Sequence, residues 1–201
     1  MPVVYTTNKL PQRAKLDTYI TPRELALAVS PGYALGIHQV LDPGAGTGVW
    51  GQIVKQVYPR IKLTGVEIRN LKCPPRYDHW IHHDFLSWYP IHPIFDLVIG
   101  NPPYQQAEAF VRHAFEVINS HGTILFLLPT HFLHGEKRGL NLFSDLTPHR
   151  VITLMQRPNF KGKGKANPNT YVLVEWKANY DGLTYHNWLN WKPVDKSPGR
   201  T

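Results

Sequence analysis

Short, almost wholly apolar runs that alternate with helical segments are the feature that most restricts the folding of this chain. Apart from Asp96, Thr123 and Glu175, Phe95 to Ile99, Thr123 to Leu128 and Tyr171 to Trp176 are apolar at successive positions rather than at every second one, so strands made from them are covered on both faces. Between the first two lies a predicted helix from Gln105 to Ile118, with Phe110, Ala114, Val117 and Ile118 at helical spacing. Further strands are expected at His38 to Leu41, Ile61 to Val66, Trp80 to His82 and Val151 to Met155, and a helix at 48–57. Thr21-Pro22-Arg23-Glu24 reads as a helix start, with Thr as N-cap, Pro in the first turn and Glu three residues after the cap; Pro31-Gly32 ends it. Strands alternating with helices give an α/β class with a mostly parallel sheet of seven strands.

The 201 residues suffice for one domain and little more. No apolar run approaches the roughly 18 to 20 residues that cross a bilayer, and the N-terminus lacks a secretory pattern, so a cytoplasmic location is expected. Cys73 is the only cysteine, which excludes an internal disulfide and a multi-thiolate zinc site. His79, His82 and His83 cluster around a short strand without a matching carboxylate or thiolate set, and no metal is expected. The net charge of +8 is unevenly spread: residues 21–136 are close to neutral, whereas 137–165 carry seven basic residues against Asp145 alone. That stretch is the footprint of a polyanionic partner or a solvated loop.

In open parallel sheets ligands bind beyond the carboxyl ends of the strands. After the first strand stands Asp42-Pro43-Gly44-Ala45-Gly46-Thr47-Gly48, whose glycines permit tight turns. After the second comes Glu67, suited to a ribose diol, after the third Asp84-Phe85, and after the fourth Asn101-Pro102-Pro103-Tyr104. The glycines also satisfy the dinucleotide pattern from Gly46 to Gly51, with Glu67 at the matching distance, so a nicotinamide-dinucleotide site is an alternative on that motif alone. A phosphate-binding P-loop is not, because no Lys-Ser/Thr follows. The tetrapeptide decides: it occurs by chance in about one chain in a thousand, and nicotinamide chemistry has no evident use for it.

In this order and spacing, DPGAGTG, Glu67, Asp84-Phe85 and NPPY resemble the class I S-adenosylmethionine-dependent methyltransferases that modify the exocyclic amino group of adenine, in particular their TaqI-like branch. The resemblance runs from residue 21 to about 176 and implies a Rossmann-like fold with S-adenosylmethionine as cofactor. It implies that Asp42 and the turn of Gly44, Ala45, Gly46 and Gly48 hold the methionine part, with Thr21 at the carboxylate end. Glu67 would hold the ribose, Asp84 the adenine amino group, and Ile68 and Phe85 would flank the adenine.

An adenine amino nitrogen is a poor nucleophile because its lone pair is delocalised into the ring. Acceptance of its two protons by the Asn101 side-chain oxygen and the Pro102 carbonyl draws it toward tetrahedral geometry. Pro103 stiffens that pair by restricting the backbone. Tyr104 offers a ring for the target base; extrusion from a duplex costs a few kcal/mol, and aromatic stacking returns about 1 to 3 kcal/mol per base. Phe160 resembles the family's second base-holding ring, and Arg157, Lys161, Lys163 and Lys165 surround it with charge suited to phosphates.

The expected activity is therefore transfer of a methyl group to adenine N6 in DNA. RNA adenine, or the planar amide of a protein glutamine, is the alternative substrate. The expected organisation is a flexible arm at 1–20, a methyltransferase domain at 21–180 and an extension at 181–201. With no separate target-recognition domain, target preference would be relaxed, or a homodimer mate or separate specificity subunit would read the sequence. A bacterial or phage setting suits such an enzyme.

Overall fold

The computed structural model describes residues 19–33, 36–160 and 168–192. Lys161, Lys163 and Lys165, most of the expected N-terminal arm and the last nine residues lie outside them.

The elements in chain order are α1 (Arg23–Val29), β1 (Gln39–Pro43), α2 (Val49–Val57), β2 (Lys62–Glu67), β3 (His79–His82), β4 (Phe95–Gly100), α3 (Ala107–Val117), β5 (Ile118–Pro129), α4 (Glu136–Arg138), β6 (Arg150–Leu154), β7 (Tyr171–Lys177) and β8 (Tyr185–Leu189). The strands form one sheet in the order β3-β2-β1-β4-β5-β7-β6-β8. Only β7 runs antiparallel to its neighbours. The ends of β1, β2, β3 and β4, together with the start of β7, therefore lie along one edge.

The apolar runs behave as their composition requires. In β4, Leu97 and Ile99 pack toward α1 and α2 with Leu25, Ile53 and Val54, while Val98 joins Phe110, Ala114 and Val117 of α3 on the other face. Asp96, the polar residue inside that run, ties β4 to its neighbours β1 and β5 near their starts: Oδ2 accepts from the backbone N–H of His38 and Gln39, each at 2.7 Å, and Oδ1 from Asn119 Nδ2 at 2.6 Å.

Two expectations are corrected. The sheet has eight strands rather than seven, because part of the expected C-terminal extension forms β8 parallel to β6. Tyr185, His186, Asn187 and Trp188 are all exposed, so this edge strand has no buried face to impose an apolar rhythm. Thr21 is not an N-cap. Pro22 takes that position without a side-chain cap, and buried Thr21 instead accepts a hydrogen bond from Trp50 Nε1 at 3.1 Å. No helix among the described residues is long and apolar enough to cross a membrane.

Candidate active site

The turn after β1 is stitched to the end of β2. Val66 O accepts from the N–H groups of Gly44 at 2.8 Å and Ala45 at 3.1 Å, and Glu67 Oε2 accepts from Gly46 N at 2.7 Å. Gly46 and Gly48 take φ of 58° and 75°, the left-handed region that favours glycine. Gly48 then leads into α2, and Asp42 Oδ2 accepts from Gly51 N at 3.0 Å, close to the start of that helix.

Tyr77, a residue the motifs did not single out, explains the glycine beyond this turn. Its hydroxyl donates to Asp42 Oδ2 at 2.5 Å, and its ring lies so close to Gly65 that a Cβ there would stand 2.6 Å from it. The glycine at 51 serves the same close approach, since its α-carbon faces the Tyr77 hydroxyl. Burial pushes the Asp42 carboxyl up to about 7, against the opposing pull of the Tyr77 and Gly51 hydrogen bonds.

Glu67 is 2% exposed, yet every bond it makes favours its charge. Oε1 accepts from Arg69 N at 2.9 Å and Nε at 2.7 Å, and Oε2 from Arg69 Nη2 at 3.2 Å besides Gly46 N. Burial raises its carboxyl pKa, but the Arg69 and Gly46 donors outweigh it and the net shift is downward. Arg69, two residues along the chain, thus covers the carboxylate expected to serve a ribose. Asp84 Oδ1 accepts from Leu86 N at 3.0 Å, capping the short helix Phe85–Ser87. Phe85 is directed into the core against Phe110 and His113, while Ile68 is exposed.

The loop after β4 starts beside the end of β1, its parallel neighbour. Gly100 faces Asp42 and the Pro43 carbonyl, and Gly44 faces Phe110 and Pro103. Asn101 Nδ2 donates to the Tyr19 carbonyl at 2.9 Å, while its Oδ1 is buried and has no hydrogen-bond partner. Pro102 is buried and Pro103 exposed. Tyr104 is mostly buried. Its hydroxyl has Asn101 and Tyr171 as polar neighbours, neither in hydrogen-bond geometry, and burial keeps the phenol protonated throughout the ordinary pH range.

Phe160 and Tyr104 come into one aromatic group, joined by two rings that sequence reading missed. Tyr19 stacks on Tyr104 with centroids 5.4 Å apart and planes 30° apart, and meets Phe160 edge-on at 5.4 Å. Tyr171 meets Phe160 at 4.9 Å and Tyr104 at 5.8 Å, which closes a ring of four. Phe160 is 5% exposed, and Arg157 is exposed three residues before it. Trp191, after β8, belongs to the same core cluster as Phe160 and Tyr171 and donates its indole N–H to Gln156 O at 2.9 Å. Among the described residues no three His, Cys, Asp or Glu side chains are grouped to hold a metal ion.

No family model matches the chain. A stretch of 89 residues is 33% identical to a type II methyltransferase, M.CvrRI, of Paramecium bursaria Chlorella virus XZ-6E, covering 42% of this chain and 23% of that one. A stretch of 76 residues is 30% identical to the tRNA1(Val) (adenine(37)-N6)-methyltransferase of Pseudoalteromonas translucida (strain TAC 125), covering 33% of each. The matches thus span a third or less of these relatives. Among solved structures, the methyltransferase subunit of a type I restriction-modification system from Streptococcus thermophilus superposes with a TM-score of 0.67 at 18% identity, over 81% of this chain and 45% of that one. A Listeria monocytogenes protein assigned to the class I S-adenosylmethionine-dependent methyltransferases gives 0.65 at 16% identity, over 86% and 66%. The chain has the Rossmann-like class I methyltransferase fold, with an eighth strand at the β6 edge.

Proposed function

We propose that this chain is an S-adenosylmethionine-dependent methyltransferase acting on the exocyclic amino group of adenine in nucleic acid, with DNA as the favoured substrate and the TaqI-like branch as a functional model. The observation that carries the reading is Asn101 Oδ1, a buried acceptor with no donor, in the loop that begins beside the glycine turn. An unpaired buried acceptor costs about 1 to 3 kcal/mol, and an amino group that donates to it removes that cost.

The chemistry at the ends of β1 and β2 fits the cofactor. Glu67 is an ionised carboxylate at the end of β2, suited to the two ribose hydroxyls once Arg69 swings aside. Asp42 and the backbone of Gly44, Ala45, Gly46 and Gly48 would serve the methionine part, with Asp84, Ile68 and Phe85 toward the adenine and Thr21 near the carboxylate. When bound, S-adenosylmethionine supplies an electrophilic methyl group. The protein's own contribution is to hold the acceptor amine. Asn101 Oδ1 and the Pro102 carbonyl take its two protons, so the lone pair is drawn out of conjugation. Fixed acceptors of this kind need no reorganisation as the nitrogen becomes positively charged. The ammonium then formed is acidic enough to lose its proton without a strong base.

DNA is favoured because Arg157 and Phe160 fall within the basic stretch 137–165 of the sequence, and because one relative is a type II methyltransferase. RNA is the second reading, on the strength of the tRNA adenine relative. A homodimer mate or separate specificity subunit would supply any extended target reading. The test is incubation of the full chain with labelled S-adenosylmethionine and duplex DNA, single-stranded DNA, RNA and protein, followed by nucleoside analysis. N6-methyldeoxyadenosine is the expected product. Label confined to protein, or to another nucleoside position, overturns the reading.

A further inference from the structure

The acceptor slot contains more unsatisfied polarity than its own residues account for. Asn101 Oδ1, the Tyr104 hydroxyl and the Tyr171 hydroxyl are all buried without hydrogen-bond partners. The Tyr104 hydroxyl neighbours Asn101 and Tyr171, and the Tyr171 hydroxyl also neighbours Asn169, yet none of the three atoms closes a hydrogen bond; native interiors pair nearly all such groups, so the cluster marks a place shaped for a polar ligand. The slot is nevertheless full, because the Tyr19 ring stacks on Tyr104 and makes an edge-to-face contact with Phe160, the two rings assigned above to the target base. The Tyr19 carbonyl also takes the Asn101 amide N–H, while the side-chain oxygen has no hydrogen-bond partner.

We propose that Tyr19 is a stand-in for the target base: its ring fills the stacking position between Tyr104 and Phe160, and adenine enters by displacing it. This rests on the adenine reading above and adds how the slot is kept closed. The exchange is selective by its chemistry. Tyr19 supplies the stacking but leaves the three polar atoms unpaired, whereas an adenine supplies the same stacking together with an amino group for Asn101 Oδ1 and ring nitrogens that accept from the phenols. A planar ligand with a carbonyl in place of the amino group still offers ring nitrogens to the phenols but sets an oxygen against Asn101 Oδ1, so it lacks the bond that distinguishes adenine. The segment carrying Tyr19 leads directly into buried Thr21 and α1, so the ring swings from a fixed point rather than from a free end.

The test is equilibrium binding of adenosine and of inosine to the full chain and to Tyr19→Ala and Tyr19→Phe, with thermal melting of each variant. A slot open only part of the time weakens apparent affinity by the open fraction, so removing the resident ring tightens adenosine binding by about ten-fold. Tyr19→Phe keeps the ring and behaves as the parent does, and inosine binding stays weak throughout. If Tyr19→Ala proves too unstable to purify, Tyr19→Leu removes the flat ring while keeping apolar volume, and the same tightening is expected. Equal adenosine binding by parent and variants, with adenine still methylated, overturns the stand-in and leaves the methyltransferase reading intact. Weaker binding by Tyr19→Ala also overturns it, by making Tyr19 a wall of the slot. Absence of any adenosine preference, with no methylated adenine formed, overturns both.

Discussion

The two halves of the site are closed in opposite ways. At the ends of β1 and β2 every carboxylate is engaged by the protein itself: Asp42 with Tyr77 and Gly51, Glu67 with Arg69 and Gly46. At the end of β4 the closure is apolar, four aromatic rings packed around Asn101, Tyr104 and Tyr171 atoms that have no partner. A ligand entering the first half must replace hydrogen bonds already made, whereas one entering the second half completes bonds that are missing. On the proposed reading, chemical discrimination would belong to the Asn101 side, and the Glu67 side would set how tightly the cofactor is held.

The largest effect expected from this contrast is at Asn101. Asn101→Ala should lower kcat by about 10²- to 10³-fold, the usual effect of deleting one preorganised group that stabilises developing charge, while the cofactor Kd stays within about two-fold. Single-turnover kinetics beside calorimetric titration of the cofactor separates the two. A large rise in Kd with kcat preserved would move Asn101 into the cofactor half.

Next is the pH dependence of stability, which tests the engaged half. The Asp42 carboxyl is held at about 7 in the fold, against its ordinary 3.8. Between those values the folded chain keeps a proton that the unfolded chain gives up, so acid favours the fold. Stability should fall as pH rises through that window, by up to about 1.4 kcal/mol per pH unit, and level off above it. Asp42→Asn, which has no proton to release, should flatten the slope in denaturant melts at about pH 5 and about pH 7.5. An unchanged slope in the variant would mean that another group carries it.

Glu67→Ala should raise the cofactor Kd by about 10- to 100-fold, the range for losing hydrogen bonds to a charged acceptor, with kcat at saturating cofactor preserved. Arg69→Ala should act in the opposite sense at neutral pH, tightening binding by about a few-fold because the resident donor no longer competes. If Arg69→Ala weakens binding as much as Glu67→Ala does, Arg69 belongs to the binding surface rather than to its closure.

What was legible in the sequence follows from how local each signal is. The runs Phe95 to Ile99 and Thr123 to Leu128 specify strands buried on both faces without reference to anything distant, and the loop after β4 lies where such a strand must end. β8 was illegible because an edge strand exposed on both faces has no apolar pattern. Thr21 shows local chemistry losing to tertiary context: its hydroxyl had a capping role available within four residues, and Trp50 on α2 claimed it. Tyr19, Arg69, Tyr77 and Tyr171 lie outside any motif spacing and reach the site only through long-range contacts, except Arg69, whose position two residues after Glu67 was the one signal that could have found it.

Thr21 supplies the smallest and most discriminating prediction. The family resemblance places it near the cofactor's carboxylate, whereas in the structure its hydroxyl accepts from the indole of Trp50, which is 3% exposed. Thr21→Val preserves shape and deletes only the acceptor, so the buried indole N–H is left without a partner at a cost of about 1 to 2 kcal/mol. In a chain of this size that corresponds to a fall in Tm of about 2 to 8 °C. Thr21→Ser keeps the acceptor and should recover most of the loss. If the hydroxyl is committed to Trp50, cofactor affinity in Thr21→Val stays at the parent value while Tm falls. The reverse pattern, a weakened cofactor with Tm unchanged, would mean that the hydroxyl leaves Trp50 when the cofactor arrives, and Thr21 would then join the residues of the first half that give up a partner of their own.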